Sequence, residues 1–281
     1  MSYRTILTYL PSSARASWLA TAGATLARAH DAHLVGLVVT PDHTMPPAFG
    51  IEVPPQFLQS PKELREAERD ATRALFEKAA SEMDVEAEWR YVGNAQNLIA
   101  DVVAEHALTA DLVVMPQATG EEWGPWAELP ERVILNAGRP VMVVPEALTV
   151  ERAPERIVVA WTDSPQSART TFDALPLLVR ADSVEVLSVG VGRHGRADER
   201  SLAIDQVALV LARHGVNAAA TSEIREGVES IGEIILDHVR EAHADLLVMG
   251  CYSHSRFRES LLGGVSRTVL ADASVPVVTA H

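Results

Sequence analysis

Two stretches of this chain come close to repeating each other. TADLVVMP at 109–116 returns as HADLLVMG at 243–250, and RVILNAGRPVMVV at 132–144 returns as RTVLADASVPVVT at 267–279. The offsets are 134 and 135 positions, and Gly93 and Gly227 stand at the same separation. Self-similarity at a long, nearly constant period means two copies of one folding unit. A break near Pro145 to Pro154 divides the chain into units at 1–147 and 154–281.

Each unit alternates short apolar runs with amphipathic stretches. In the first, residues 4–10 (RTILTYL), 33–39 (HLVGLVV), 112–115 and 141–144 read as strands, and 85–91 alternates as a half-buried one. Helical spacing covers 14–30, 62–83, 95–106 and 132–135, while 40–61 is proline-rich and irregular. The second unit starts again with RIVVAW at 156–161 and has a further strand at 184–189. Ser164-Pro165 is an N-cap followed by proline at the first helical position. Ala168, Thr171, Phe172 and Leu175 then share one helical face. Ile204, Val207, Ala208 and Leu211 mark the next helix, ended by Gly215. Ser230 and Glu233 have capping-box spacing. The order βαβαβαβαβ in each unit argues an α/β chain of two tandem, doubly wound parallel-sheet domains.

Composition excludes several classes. A formal charge of -14 argues against a nucleic-acid partner, because phosphate contacts need a basic face. No apolar run approaches the roughly 18 residues of a membrane span. The N-terminal apolar segment is too short for a secretory signal. The single cysteine, Cys251, cannot form an internal disulfide. The expected location is the cytoplasm.

The most informative stretch runs from Asp245 to Ser266. The apolar run 246–249 is bounded by Asp245 and Gly250, as in a buried parallel strand. A loop with His254, Arg256 and Arg258 follows, then the pair Gly263-Gly264 and a helix over 265–270. Glycines let backbone N–H groups approach an anion, a helix start adds free donors, and arginines add charge. The alternative is an ordinary strand-to-helix connection with solvated arginines.

On these residues each half resembles the universal stress protein domain, and the whole resembles a tandem universal stress protein. VVAWTDS, HADLLVMG, YSHSRFRESLLGGVSRTVL and SVPVV carry the likeness in the second half. The resemblance implies a Rossmann-like, adenine nucleotide alpha hydrolase-like unit. Nucleotide-binding members of the family carry G-x2-G-x9-G-[S/T] after the fourth strand and an aspartate ending the first. Asp163 matches that aspartate, which implies a place beside adenine. Gly250 matches the first glycine and Gly263 the third. Ser253 stands where the second glycine is expected. Gly264 stands where Ser or Thr is expected, with Val265 between it and the hydroxyl of Ser266. Val189, ending the second strand, matches the backbone contact to adenine, and His254 is a further donor for phosphate. Serine at a left-handed position costs roughly 1 kcal/mol, which weakens such a site without abolishing it. The resemblance therefore implies ATP or ADP, with or without Mg²⁺, in the second half. It also implies that 140–144 and 275–279 pair within the chain, covering two apolar edges, and that a homodimer is compatible with the family.

The first half reads differently. Pro116 replaces Gly250, Glu128 and Leu129 face Gly263 and Gly264, and the loop carries Glu121, Glu122 and Glu131. Carboxylates repel polyphosphate, and strand one ends in Thr8-Tyr9-Leu10-Pro11 without an aspartate. No nucleotide is expected there, and Trp123 and Trp126 read as packing anchors. Gly190, Gly192 and Gly195 match G-x-G-x-x-G, but after the second strand rather than the first, so a turn is the better reading. The ten histidines show no metal-ligand spacing, and Cys251 reads as a small packed residue.

Two function classes follow. One is a stress-response signalling module whose second half binds adenine nucleotide. It is not an enzyme, or at most a slow ATPase, since Asp163 and Glu259 are the only obvious candidate bases. The other is a nucleotide-free interaction protein acting through protein partners whose identity the sequence does not name.

Overall fold

The computed structural model describes residues 2–41, 61–95, 98–118, 128–146, 148–191, 197–225, 230–251 and 264–281. The first half runs β1 (Thr5–Tyr9), α1 (Ser13–His30), β2 (His33–Pro41), α2 (Pro61–Glu82), β3 (Ala87–Ala95), α3 (Ile99–Ala107), β4 (Leu112–Pro116), α4 (Leu129–Asn136) and β5 (Val141–Val144). The second runs β6 (Arg156–Ala160), α5 (Pro165–Asp173), α6 (Leu175–Leu178), β7 (Ser183–Val191), α7 (Ala197–Arg213), β8 (Ala218–Arg225), α8 (Ile231–Glu241), β9 (Leu246–Met249), α9 (Gly264–Asp272) and β10 (Val277–Thr279).

All strands join one sheet of order β3-β2-β1-β4-β5-β10-β9-β6-β7-β8. Pairing is parallel within each half and antiparallel only where β5 meets β10, with Val143 opposite Val277 and Val141 opposite Thr279. The last strands thus pair within one chain, and neither leaves its backbone edge open. Alternate residues of the central strands enter two apolar layers. Ile6, Leu34, Leu112 and Val159 pack under α1, α2, α6 and α7, while Leu7, Val35, Val113 and Val158 pack under α3, α4, α8 and α9. Burial on both faces is why these strands read as unbroken apolar runs rather than alternating ones.

The repeated ADL tripeptide has a structural reason. Asp111 accepts hydrogen bonds from the backbone N–H groups of Arg4 (2.7 Å) and Thr5 (3.0 Å). Asp245 does the same for Glu155 (3.1 Å) and Arg156 (3.0 Å). In each half the residue before the fourth strand thereby fixes the start of the first.

Local capping follows the sequence. The Ser164 hydroxyl accepts from Ser167 N–H at 3.1 Å with Pro165 at N1, both bonds of the Ser230–Glu233 box are present, and Gly215 has φ +85°. Three expectations change. Phe172 is 42% exposed and Ala168 half-buried, whereas Thr171 and Leu175 are buried as expected and Ser167, Thr170 and Ala174 join them. Only small side chains fit where α5 meets the end of β9. In β3, Ala87 and Tyr91 are exposed while Trp89 packs on Phe76. This strand is the sheet's terminal one, and α2 covers its middle alone. The helix expected from residue 95 begins at Ile99, because 93–95 extend β3. Strand β8 has no sequence counterpart above, since AAATSEIR is alanine-rich at a sheet edge.

Candidate functional site

Strands β6 and β9 are adjacent and parallel, with Ala160 opposite Met249. The chain leaves β6 toward one face of the sheet and β9 toward the other. Strand order therefore reverses between them, and a crevice opens beyond their carboxyl ends. Residues 161–164 and 250–251 form its lips. Helix α9 enters from the far side after residues 252–263, so Ser253, His254, Arg256, Arg258, Glu259 and Gly263 lie outside the described residues. Trp123 and Trp126 do as well.

The turn after β6 is tied to itself. Trp161 Nε1 donates to Asp163 Oδ1 at 3.1 Å, and Thr162 N–H donates to Ser167 Oγ at 3.2 Å. Thr162 Oγ1 lies 3.2 Å from Ser164 Oγ and 3.0 Å from Ser167 Oγ. These bonds hold the exposed Asp163 carboxylate at the crevice. Gly250 faces the same turn. A Cβ built there would lie 2.4 Å from Ser167 N, 2.6 Å from Gln166 C and 2.8 Å from Ser167 Cα. Glycine is required at 250 for space, because the start of α5 rests directly on it.

Val189 lies in β7 beyond the end of β6, whose last ladder partner is Leu187, and is paired on its other side with Glu223. Gly190 is likewise a strand residue, paired with Ile224, so the first glycine of the G-x-G-x-x-G match belongs to a ladder rather than a phosphate turn. At the start of α9, the Cβ position of Gly264 is open, with no atom of the described residues within 4 Å. The first N–H groups of this helix have no intrahelical acceptor. Val265 packs partly against the apolar layer. Ser266 is buried beside the Cys251 thiol, which accepts a hydrogen bond from Thr279 Oγ1 at 2.7 Å. Burial pushes the Cys251 thiol up to about 11, so it is un-ionised near neutrality.

The equivalent place in the first half is a cleft of about 220 Å³ lined by Pro11, Ser12, Arg15, Pro116, Gln117, Leu129 and Pro130 among others. Its strand β1 ends at fully buried Tyr9, and Leu10 after it is fully buried too. Leu129 is buried where α4 begins, and Pro130 in the first turn has no N–H to offer. Arg15 is 4.0 Å from Glu146.

Two residues beside this cleft acquire roles that sequence reasoning did not assign. Gln117 Nε2 donates to Leu270 O (2.9 Å) and Ala271 O (2.8 Å), closing the carboxyl end of α9 in the other half. Glu131 on α4 is 7% exposed, and its Oε1 has no hydrogen-bond partner among the described residues. Desolvation raises its pKa to about 7, opposed by Arg267 and reinforced by Glu128. The internal repeat sets Gln117 against Cys251 and Glu131 against Ser266, which flags both positions as changed but says nothing of burial.

Residues 154–281 match the model of the universal stress protein family. The second half is a universal stress protein domain. A universal stress protein from Archaeoglobus fulgidus DSM 4304 aligns with 98% of this chain and 95% of its own, at a TM-score of 0.73 and 15% identity. A protein of unknown function from Pseudomonas aeruginosa PAO1 covers 99% of this chain and 92% of its own, at 0.58 and 14%. No curated protein matches the chain. Likeness at this identity establishes fold, and it does so for both halves. The chain is therefore a tandem of universal stress protein folds whose second copy also carries the family's sequence pattern. Among the described residues, no helix is long and apolar enough to cross a membrane.

Proposed function

We propose that this tandem universal stress protein divides at 1–147 and 154–281 and binds ATP or ADP in the second half alone, as a cytoplasmic stress-response module. The observation that carries this reading is the asymmetry of the two crevices. In the second, Asp163, the glycine at 250 and the start of α9 border one switch point. In the first, Pro11 and the buried Pro116, Leu129 and Pro130 occupy the corresponding positions. Asp163 Oδ1 is engaged by Trp161, which leaves Oδ2 for the amino edge of adenine. Backbone groups of Val189 would complete that edge. The N–H groups at Gly264 and Val265 would meet phosphate, helped by the helix dipole. Ser266 is turned toward Cys251, so the backbone of Ser266 rather than its hydroxyl serves in this reading. The module is a binder rather than a catalyst.

The test is stoichiometry. Purified protein is denatured and its supernatant assayed for adenine nucleotides, then emptied protein is titrated with ATP–Mg²⁺ by calorimetry. One nucleotide per chain is expected. Two would overturn the asymmetry. No bound nucleotide and no heat at millimolar ATP would leave the second reading, a nucleotide-free interaction protein, for which the degenerate first crevice is the favouring observation.

A further inference from the structure

The two halves meet along β5 and β10, and on one face of that seam α4 of the first half and α9 of the second border a cavity of about 90 Å³. Ala118, Pro130, Glu131 and Val143 line it from the first half, and Arg267, Leu270 and Ala271 from the second. Among the described residues, Glu131 is a buried carboxylate at the seam whose Oε1 has no hydrogen-bond partner. Arg267 stands beyond the 4.0 Å of an ion pair with it but lines the same space. A cavity of this size holds several waters, so the guanidinium can be drawn toward the carboxylate without repacking. Arg267 belongs to the first turn of α9, directly after Gly264, Val265 and Ser266, while Gln117 holds the other end of that helix.

The geometry points to a proton-operated latch in which Glu131, buried across a shared cavity from Arg267, recruits the guanidinium when it ionises and so draws charge away from the start of α9. Among the described residues, the charged groups around it are few. Glu128, on the same helix, disfavours ionisation, and Arg267 favours it. Arg132 is directed toward Asp101 of α3 at 3.9 Å. From the strand layer, Cys251 faces the carboxylate as a neutral thiol throughout the relevant range.

The sign follows from burial. A carboxyl raised from 4.5 to about 7 binds its proton more tightly folded than unfolded. Its contribution is complete below about pH 4.5 and is lost as pH rises through 7. Coupling to nucleotide rests on the function proposed above, and the seam itself does not. With Arg267 recruited, phosphate at α9 loses a nearby cation, so ATP affinity falls as pH rises.

Two measurements on the full chain test this. Urea unfolding of wild type and Glu131→Gln is followed from pH 5 to 8.5, with a ¹³C carboxyl titration of Glu131 as the direct readout. The wild-type folding constant should fall relative to the variant, by up to about a hundredfold, with the carboxyl titrating near 7. Parallel stability curves, or a carboxyl titrating near 4.5, overturn the latch. ATP affinity is then compared at pH 6 and 8. A several-fold loss in wild type, absent in Glu131→Gln, supports the coupling. Equal pH dependence in both proteins overturns the coupling. No ATP binding at either pH, beside divergent stability curves, overturns the nucleotide reading and leaves the seam latch standing.

Discussion

Replacing Gly250 by alanine separates packing from ligand chemistry at the one glycine of the crevice that the structure describes at close quarters. The new Cβ would sit 2.4–2.8 Å from Ser167 N, Gln166 C and Ser167 Cα. Contacts that close are not tolerated, and all three atoms are backbone, so no side chain can swing aside. The start of α5 must retreat by about an ångström. Overpacking of this kind costs about 1–3 kcal/mol. The displacement also loosens the Ser164 cap and the Thr162–Ser167 bonds, adding about 1 kcal/mol. A total of about 2–4 kcal/mol should appear as a lower urea midpoint with an unchanged slope. Asp163 rides on the same turn, so ATP affinity should fall with it. The control is Gly264→Ala, where the Cβ enters open space and stability should hold within about 0.5 kcal/mol. If Gly250→Ala also stays within about 0.5 kcal/mol of wild type, the space argument is wrong.

Gly264→Asp puts a carboxylate at the start of α9 in open space. It should leave the unfolding midpoint unchanged or slightly raised and weaken ATP at least about tenfold by repulsion; calorimetry of a variant binding as wild type does would remove α9 from the site. Gln117→Ala removes the bonds to the end of α9 and should cost about 1–2 kcal/mol in urea unfolding, whereas a change under about 0.3 kcal/mol would mean water replaces the amide fully. Cys251, buried and hydrogen-bonded, should resist a thiol reagent at pH 7.5 in the native protein and react at once in urea. Rapid native labelling would show that the end of β9 opens.

Much of the fold was legible because its signals are local. The run LVVM at 112–115 and LLVM at 246–249 are strands as read, and the Ser230–Glu233 box and the turn at Gly215 each depend on residues within a few positions of one another. The site was legible in part. Asp163 and Gly250 border the crevice beyond β6 and β9, but the reading treated Gly250 as an anion-loop glycine, whereas its described contacts are with the backbone of α5. Spacing alone could not reveal that. Ser266 carries the hydroxyl the motif lacks at 264, yet it faces Cys251, because the helical phase that buries Val269 also turns Ser266 inward.

Periodicity, caps and the internal repeat by themselves determined a duplicated βαβαβαβαβ chain, since propensity and apolar spacing act over one or two turns. Phe172 shows the limit of such reasoning. It lies on a helical face that looks apolar, but the ring is 42% exposed and meets His214 edge-on, while Ser167, Thr170 and Thr171 take the buried side of the helix. Glu131 shows the converse. A glutamate in a first helical turn is ordinarily solvated, and this one is buried, with its pKa pushed up to about 7 by desolvation, where a helix 135 residues away borders the same cavity. Such positions are decided by the antiparallel meeting of β5 and β10, which sets α4 and α9 face to face. Burial, and the proton affinity it imposes, is a property of that meeting rather than of any stretch of the chain.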